Sequence, residues 1–298
     1  MFEVDVLVIG SLNHDIVAGV DQAPAPGETV LARTLVRTNG GKGGNQAVAA
    51  ARAGASVRLL SAVGTDAEGD MQVTSLAAFG VDTSVIAREA GQRTSLALIW
   101  VTPDGENSII VTPGAKDRVT PELVWQLGAG LAPRVVLAQS EVGAAVCDAA
   151  AGLAAQVGAR YVLSCGPVVL PAATTLAACD PVIVNAGEAR DLLAGVGAVA
   201  TGPETELTQA LLAATGARSV VVTLGASGSV VAERDGGTVR LPAVPATDVV
   251  DTTGAGDTYC GVVVARIAQG DALADAAREA AVAASAAVGW RGARPELV

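Results

Sequence analysis

The stretch DTTGAGDTYCGVV, from Asp251 to Val263, places two glycines and one acidic residue directly before an apolar run. A helix beginning near Gly256 would direct unpaired N–H groups and the positive end of its dipole at this turn. Gly254 and Gly256 would let a phosphate approach those groups closely. Asp257 has two interpretations: an acid that favours the helix dipole, or a general base beside an anion site. The second interpretation predicts phosphoryl transfer, which needs positioning, charge neutralisation and one base.

A second glycine cluster, GGKGGNQAVAAARAGA, runs from Gly40 to Ala55, and we expect Asn45 to open its helix. Lys42 is followed by glycine, and no Ser or Thr stands where a Walker A loop would bind magnesium. No strand runs directly into the cluster, so it is not a Rossmann fingerprint either. The cluster is either a loop that lets a ligand approach closely or a tight turn before a helix. Its spacing does not decide between the two.

Polar side chains follow several apolar runs that predict β-strands. Residues of this kind follow the runs that start at positions 4, 134 and 180, namely Asn13, Asp15, Glu141, Asn185 and Glu188. The loop TLGASG follows the run that starts at 219. In an open parallel α/β sheet, ligands bind beyond the carboxyl ends of the strands. These residues therefore predict a site on one edge of a sheet.

Strand-like and helix-like segments alternate along the chain and carry these residues. Apolar, β-branched runs lie at 4–10, 56–64, 134–141, 159–166, 180–188 and 219–228, and Ala-rich helical segments lie at 47–53, 143–157, 204–215 and 271–288. Unbroken apolar runs are typical of strands buried on both faces. The alternation predicts a three-layer α/β fold, a doubly wound and mainly parallel sheet with helices on both faces.

One region interrupts this alternation. The segment 94–111, TSLALIWVTPDGENSIIV, contains two extended runs around a Pro-Asp-Gly turn, the pattern of a β-hairpin. The segment 24–38 predicts another extended piece. Together they predict a small projecting β-sheet, contributed by about 11–38 and 92–112 of a single domain that spans 1–298. The sheet is either a flap over a site or an edge-strand dimer contact, and both can hold.

Composition narrows the classes of function. The 298 residues carry a formal net charge of −11 without a Lys/Arg cluster, which argues against nucleic-acid binding. The single histidine, His14, excludes a multi-histidine metal site and argues against a Ser-His-Asp triad. The opening MFEVDVLVIG lacks the basic region of a signal peptide, and the uncharged span 161–179 is interrupted by glycine and proline, so we expect no membrane segment. Scattered cysteines without a CxxC pair predict buried, reduced thiols in a cytoplasmic protein, at Cys147, Cys165, Cys179 and Cys260.

Taken together, the motifs resemble the ribokinase-like (PfkB) family of carbohydrate kinases. The similarity follows nearly the whole chain in order, through GSLNHDIV, PAPGETV, GGKGGNQAVAAARAGA, VGTDAEGD, GENSIIVTPGA, QSE, VNAGEA, VTLGASG, DTTGAGDTYCG and RGARP. It implies an ATP-dependent enzyme that phosphorylates the 5-hydroxyl of D-ribose, or a sister kinase for another sugar, a nucleoside or a sugar phosphate. A catalytically silent sugar- or nucleotide-binding protein is an alternative from another class, and the intact Asp257 argues against it. A Rossmann-type dehydrogenase is disfavoured because the fingerprint is missing.

The resemblance also implies roles for residues. Asp257 is the base, and the backbone of Gly254, Ala255 and Gly256 forms an anion hole. The sugar-binding positions are Asn13, Asp15, Gly41, Lys42, Asn45 and Glu141, together with Asp257. The nucleotide-binding positions are Asn185, Thr223, Leu224, Gly225, Ala226, Ser227, Gly228, Gly256 and Ala281.

Metal ions and a partner are implied in the same way. Glu188 would act on magnesium through water. An activating potassium ion would lie beside the anion hole, at Asp251, Thr253, Ala287, Trp290, Gly292 and Glu296. Glu296 departs from the small polar residue expected there. The projecting strands would form a lid and the contact of a homodimer, and the substrate would be a small sugar.

Overall fold

The apolar runs of the sequence form β-strands in the computed structural model, which describes residues 4–103 and 107–295. The strands, in chain order, are β1 (Val4–Ile9), β2 (Asn13–Gly19), β3 (Thr34–Gly40), β4 (Val57–Gly64), β5 (Ile86–Glu89), β6 (Ser95–Val101), β7 (Asn107–Val111), β8 (Pro133–Gln139), β9 (Arg160–Ser164), β10 (Val182–Asn185), β11 (Ser219–Thr223), β12 (Ser229–Glu233) and β13 (Gly237–Leu241). All six predicted strands are present in this set, each within or one residue beyond its predicted run.

The helices alternate with these strands. They are α1 (Lys42–Arg52), α2 (Ala67–Ala78), α3 (Pro121–Gly128), α4 (Ala144–Val157), α5 (Ala173–Ala178), α6 (Ala186–Gly195), α7 (Glu204–Thr215), α8 (Ala255–Ala268) and α9 (Leu273–Ala287). Short 3₁₀ turns lie at Ala115–Arg118, Ser140–Val142 and Gly225–Ser227. No helix of the described residues has the length and apolar character that a membrane crossing requires.

The larger sheet has nine strands in the order β13-β12-β11-β10-β9-β8-β1-β4-β5. Every pair from β11 to β5 is parallel, and β12 and β13 add an antiparallel edge. The carboxyl ends of the parallel strands therefore meet on one edge. This arrangement confirms the predicted mainly parallel, doubly wound α/β fold.

A hydrophobic core lies on each face of this sheet. Along β1, Val6 and Val8 face one core, and Leu7 and Ile9 face the other, because successive strand side chains point to opposite faces. Helices α1, α8 and α9 contribute to the first core, whereas α4, α6 and α7 contribute to the second. Both faces are covered, which is why the strands read as unbroken apolar runs.

A second, four-stranded sheet has the order β3-β2-β6-β7 and corresponds to the predicted lid. Strands β6 and β7 form the expected antiparallel hairpin, and Asp104 and Gly105 of its predicted turn lie outside the described residues. The extended segment predicted at 24–38 is a strand only from Thr34, and it continues to Gly40. On β2, the buried His14 faces away from Asn13 and Asp15, as the period of a strand requires.

Helix α1 begins three residues earlier than expected. It starts at Lys42 instead of Asn45, with Gly41 as its N-cap. The two intervening glycines are poor helix formers, but the Gly44 N–H donates to the Ser11 carbonyl at 3.2 Å. This tertiary contact between α1 and the link from β1 to β2 extends the helix beyond what local propensity predicts.

Candidate active site

The first turn of α8 carries the glycines and the acid of the DTTGAGD motif. Gly254 is the N-cap with φ of 78°, and a Cβ there would lie 2.5 Å from Cα of Ala293. Only glycine fits this position, because an L side chain meets both backbone strain and a collision. The sharp turn fixes the direction in which α8 begins.

The N-terminus of α8 opens toward solvent. Ala255 N–H donates to the Thr252 carbonyl at 3.3 Å, whereas within the described part of the chain neither Gly256 N–H nor Asp257 N–H donates a hydrogen bond. A side chain at Gly256 would meet open space. Unpaired N–H groups at the positive end of a 14-residue helix suit an anion.

The Asp257 carboxylate is held by amide side chains of α1. Asn45 donates from Nδ2 to Oδ2 at 2.9 Å, and Gln46 donates from Nε2 to Oδ1 at 2.9 Å. Neither bond comes from the backbone of α8, so the carboxylate does not cap its own helix. Each oxygen accepts one of these bonds and keeps a further lone pair, which can accept a substrate hydroxyl.

Gln46 is in turn fixed by the strands below it. Gln139, at the end of β8, donates from Nε2 to Oε1 of Gln46 at 2.8 Å, and Gln46 Nε2 also reaches Oγ of Ser164 at 3.2 Å. Because Gln139 occupies its oxygen, the Gln46 amide presents its nitrogen to Asp257. Sequence reasoning did not assign a role to Gln46 or Gln139; the signal was a glutamine beside Asn45 at the start of an otherwise small and apolar helix.

Glu141 lies beside this network on the turn that follows β8. Its carboxylate accepts from Ser11 Oγ at 2.8 Å and from Asn13 Nδ2 at 3.1 Å. Lys116 Nζ lies 3.5 Å from Oε1 of Glu141, and both side chains are largely buried. Lys116 was not among the predicted residues, since one lysine in a loop carries no pattern.

Asp15 is the acid of the site whose pKa is shifted most. Burial raises the pKa of Asp15 to about 7; the positive charge of Arg294 opposes this rise, and the charges of Glu141 and Asp257 add to it. Protonation of this carboxyl therefore changes near neutral pH. Arg294 is a further residue without a predicted role, although it lies in the RGARP motif.

Lys42, the first residue of α1, is the predicted cation of the site. The field of Asp257, assisted by Glu141 and Glu188, raises the pKa of Lys42 although burial acts in the opposite direction. Lys42 is therefore positively charged. The carboxylates around it are Glu141 after β8, Glu188 after β10 and Asp257 in the DTTGAGD motif. Six predicted positions on the sugar side are thereby brought to one place, Asn13, Asp15, Gly41, Lys42, Asn45 and Glu141.

The predicted nucleotide positions follow the next strands of the sheet. Asn185 is the N-cap of α6, and it forms a reciprocal capping box with Glu188, with bonds of 2.9 Å and 2.8 Å. The loop after β11 turns at an exposed 3₁₀ segment, where Leu224 N–H donates to the Gly228 carbonyl at 2.8 Å. The members of this loop are Thr223, Leu224, Gly225, Ala226, Ser227 and Gly228. Ala281 lies on α9, which contacts β12 and β13.

Of the predicted monovalent-cation residues, Asp251, Thr253 and Gly292 are joined by hydrogen bonds. Asp251 accepts from Thr253 N–H and from Gly292 N–H, each at 2.9 Å. Burial acts against ionisation of Asp251, but these hydrogen bonds outweigh it and lower its pKa. Ala287 ends α9, and Trp290 stacks on Arg52 with 5.2 Å between the guanidinium carbon and the ring centroid. Glu296 lies outside the described residues.

The donor set decides which ions this arrangement suits. Among the described residues no cluster of three or more His, Cys, Asp or Glu side chains is positioned for a metal. A single carboxylate such as Glu188 suits magnesium, which keeps several waters and binds phosphate oxygens. Asp251 and the carbonyl groups at the C-terminus of α9 are oxygen donors at a negative helix end, which suits a hard monovalent cation.

Two curated relatives are similar over nearly the whole chain. The chain is 33% identical over 291 residues to the ribokinase of Haemophilus influenzae, which covers 97% of this chain and 94% of that protein. It is 31% identical over 295 residues to the ribokinase of Staphylococcus aureus, covering 98% of this chain and 96% of that protein.

Solved structures are similar over the same extent. The Arabidopsis thaliana ribokinase complexed with ribose and ATP matches with a TM-score of 0.84 and 28% identity, over 98% of this chain and 95% of that one. The Thermotoga maritima ribokinase matches with a TM-score of 0.86 and 26% identity, over 97% and 94%. The family model described as "pfkB family carbohydrate kinase" matches residues 4–297. This range includes both sheets and the site from Ser11 to Arg294. The chain therefore belongs to the pfkB family of carbohydrate kinases.

Proposed function

We propose that this kinase transfers the γ-phosphoryl group of ATP to the 5-hydroxyl of D-ribose. The observation that carries the proposal is the position of Asp257, whose carboxylate is held at 2.9 Å by Asn45 and by Gln46 beside the open N-terminus of α8. Ribokinases among its relatives, one of them solved with ribose and ATP, support this choice of substrates.

Asp257 is the general base of this reaction. It accepts the proton of the sugar hydroxyl while that oxygen attacks the γ-phosphorus. The new P–O bond forms as the bond to the β–γ bridging oxygen breaks, and ADP leaves with that electron pair. The N–H groups of the α8 turn, at Gly254, Ala255 and Gly256, stabilise the charge on the transferred group.

The remaining sugar contacts come from side chains that can accept and donate. Carboxylate and amide groups share hydrogen bonds with several hydroxyls, and a site of this kind rejects analogues that lack them. We assign this role to Asn13, Asp15, Gly41, Lys42, Asn45 and Glu141. The nucleotide lies against Asn185, the loop from Thr223 to Gly228, Gly256 and Ala281.

Two metal ions complete the proposal. Magnesium, held through water by Glu188, would neutralise phosphate charge. Potassium would stabilise the α8 turn from Asp251, Thr253, Ala287, Trp290 and Gly292, and we keep Glu296 as a further candidate.

We further propose that the chain is a single domain whose lid sheet forms a homodimer contact. The edge strands β3 and β7 expose Leu35, Val36, Ile109, Ile110 and Val111. These strands are the two opposite edges of the lid sheet, and an exposed edge strand can pair with a strand of a second copy. Sedimentation equilibrium tests the dimer, and a monomer at micromolar concentration would rule it out.

A cytoplasmic location is supported by the cysteines. All four, Cys147, Cys165, Cys179 and Cys260, are buried and unpaired. Free thiols are typical of a reducing compartment.

The test of the proposed function is ADP production from ATP and magnesium with D-ribose, 2-deoxy-D-ribose, adenosine and D-ribose 5-phosphate as acceptors. We include 2-deoxy-D-ribose because the deoxyribokinase of Salmonella typhimurium is 29% identical over 290 residues. Preferred turnover of D-ribose is expected. Preference for another acceptor would keep the mechanism and replace the substrate, and ATP binding without turnover of any acceptor would favour a silent binding protein.

A further inference from the structure

Arg294 is buried in the site, with 7% of its surface exposed. It donates from Nε to Oδ1 of Asn45 at 2.9 Å, from Nη1 to Oε1 of Gln72 at 3.2 Å, and from Nη2 to the Gly40 carbonyl at 2.9 Å. All three acceptors are uncharged. A buried guanidinium without a directly bonded carboxylate is costly, so its charge must be balanced at longer range.

The balancing charges belong to the active site. The pKa of Arg294 falls to about 10, because the lowering effect of burial exceeds the raising effects of Asp15 and Asp257. In the opposite direction, the field of Arg294 lowers the pKa of Asp15 against the effects of burial, Glu141 and Asp257. Of the other cations in the site, Lys42 has its pKa raised mainly by Asp257, and Lys116 forms an ion pair with Glu141. Asp15 and Arg294 meet at Gly40, whose carbonyl accepts from Nη2 of Arg294 at 2.9 Å and where an added Cβ would overlap the carboxyl group of Asp15. The charge of Arg294 therefore opposes protonation of Asp15.

Arg294 also decides how the Asn45 amide is oriented. Because the guanidinium donates to Oδ1, the Nδ2 group of Asn45 points to Asp257, where it donates at 2.9 Å. With Arg294 removed, the amide can rotate and place its oxygen against the carboxylate. That orientation would set two acceptors against each other and release Asp257.

We infer that Arg294 is a positioning residue of the kinase, which orients Asn45 toward Asp257 and supplies the positive charge opposite Asp15. This inference rests on the proposed function. Arg294 acts only through these two side chains, and it is held in place by α1, α2 and β3.

The sequence contains a steric partner for this arginine. A Cβ at Gly44 would overlap Nη2 of Arg294 and lie 3.0 Å from its Cζ, and it would lie 2.7 Å from Cδ2 of Leu12. Glycine at position 44 and arginine at position 294 therefore fit as a pair. Gly44→Ala should displace the guanidinium while leaving its charge in the chain.

The experiment uses Arg294→Gln, Arg294→Lys, Gly44→Ala and the double variant Gly44→Ala/Arg294→Gln in the full chain. The readouts are kcat and KM for sugar and for ATP from about pH 6 to 9, sugar affinity by calorimetry, and Tm. Arg160→Gln is the matched control. Arg160 is a partly buried arginine that pairs with Asp180 at 2.9 Å, at the amino end of β9 and away from the site.

We expect Arg294→Gln to raise KM for D-ribose at neutral pH by about tenfold, while KM for ATP changes by less than about twofold. Loss of the cation raises the pKa of Asp15, so the acidic limb of kcat/KM for ribose moves to higher pH. Arg294→Lys keeps a charge and should restore part of that limb. Gly44→Ala should behave like Arg294→Gln. The double variant should be little worse than Arg294→Gln alone, because the collision with the guanidinium has gone and only the contact with the flexible end of Leu12 remains.

An Arg294→Gln enzyme with lowered Tm but an unchanged pH profile, like the Arg160→Gln control, would overturn the inference. If Arg294→Gln does not fold, the double variant Gly44→Ala/Arg294→Lys is measured in its place, and additive effects of its two substitutions on sugar affinity would overturn the inference. Failure of the proposed function has a different signature: the parent protein itself would turn over no sugar, while the coupling of positions 44 and 294 in Tm would persist.

Discussion

The sugar side and the phosphate side of the proposed site hold their functional groups in different ways. The sugar side comprises the six positions named above together with Asp257 and its partner Gln46. Its side chains bond to one another, Asn45 and Gln46 to Asp257 and Asn13 to Glu141. The groups that hold Asp257 are buried: Asn45 is 7% exposed, Gln46 1% and Gln139 0%. The phosphate side, which we define as the α8 turn and the loop 223–228, offers backbone groups at Gly256 and Ser227 that are exposed.

This difference has consequences for substitution. A side-chain network loses its geometry when one member is replaced, because each donor orients the next. Backbone N–H groups remain after any substitution except proline, so other substitutions on the phosphate side can only block these groups or change their direction. The sugar side should therefore be sensitive to deletion of a donor, and the phosphate side to added volume.

The largest effect is expected where the two sides meet. Asp257→Asn should reduce kcat by about 10³-fold, because the amide cannot accept the hydroxyl proton. Ribose affinity by calorimetry should change little, since the shape of the side chain is kept. Asp275→Asn, on the exposed side of α9, is the control. Turnover within about tenfold of the parent enzyme would exclude Asp257 as the base.

Added volume on the phosphate side is the next test. Gly256→Ala meets open space in the protein, so the Tm should not fall. The methyl group would stand where the phosphates approach, and kcat/KM for ATP should drop by about 10²-fold. Gly130→Ala, which also meets open space but lies before β8, should leave the kinetics unchanged. Normal ATP kinetics in Gly256→Ala would place the phosphates elsewhere.

Deletion of one donor on the sugar side should have a smaller effect. Gln46→Met removes the 2.9 Å bond to Oδ1 of Asp257 and leaves the bond from Asn45. A hydrogen bond to a charged group is worth about 1.5–3 kcal/mol, so kcat should fall by about tenfold or more at a temperature well below the Tm. Gln209→Met, whose amide bonds Thr238 on the surface, is the control. An unchanged kcat would show that Asn45 alone suffices to aim the carboxylate.

Potassium should give the smallest effect on kcat, because the Asp251 loop would act on the phosphates only through the α8 turn. We expect a few-fold stimulation of kcat in sodium-free buffer, with KM for ribose unchanged, and loss of the stimulation in Asp251→Asn. Equal rates with and without potassium would remove the cation from the proposal. A change in ribose KM instead would mean that the two sides are coupled more closely than their contacts indicate.

Much of this protein follows from local sequence. Apolar runs and Ala-rich segments give the strands and helices, because burial on both faces of a sheet demands unbroken apolar residues. The DTTGAGD turn is also local, since the Gly254 conformation at φ of 78° needs glycine wherever the chain goes next. Local propensity was misleading at α1, where Gly43 and Gly44 are helical through a contact with Ser11.

The α/β class, the family motifs and the acid at the start of α8 can all be read from the order of residues alone. The partners that hold that acid depend on how distant segments pack. Gln46 and Asp257 are 211 positions apart, and Asn45 and Arg294 are 249 apart. Such pairs leave no periodic trace in a single chain, because hydrogen bonds between distant side chains depend on where the sheet edge brings them together. Arg294, Lys116 and Gln139 therefore had no visible role until the strands and helices were packed.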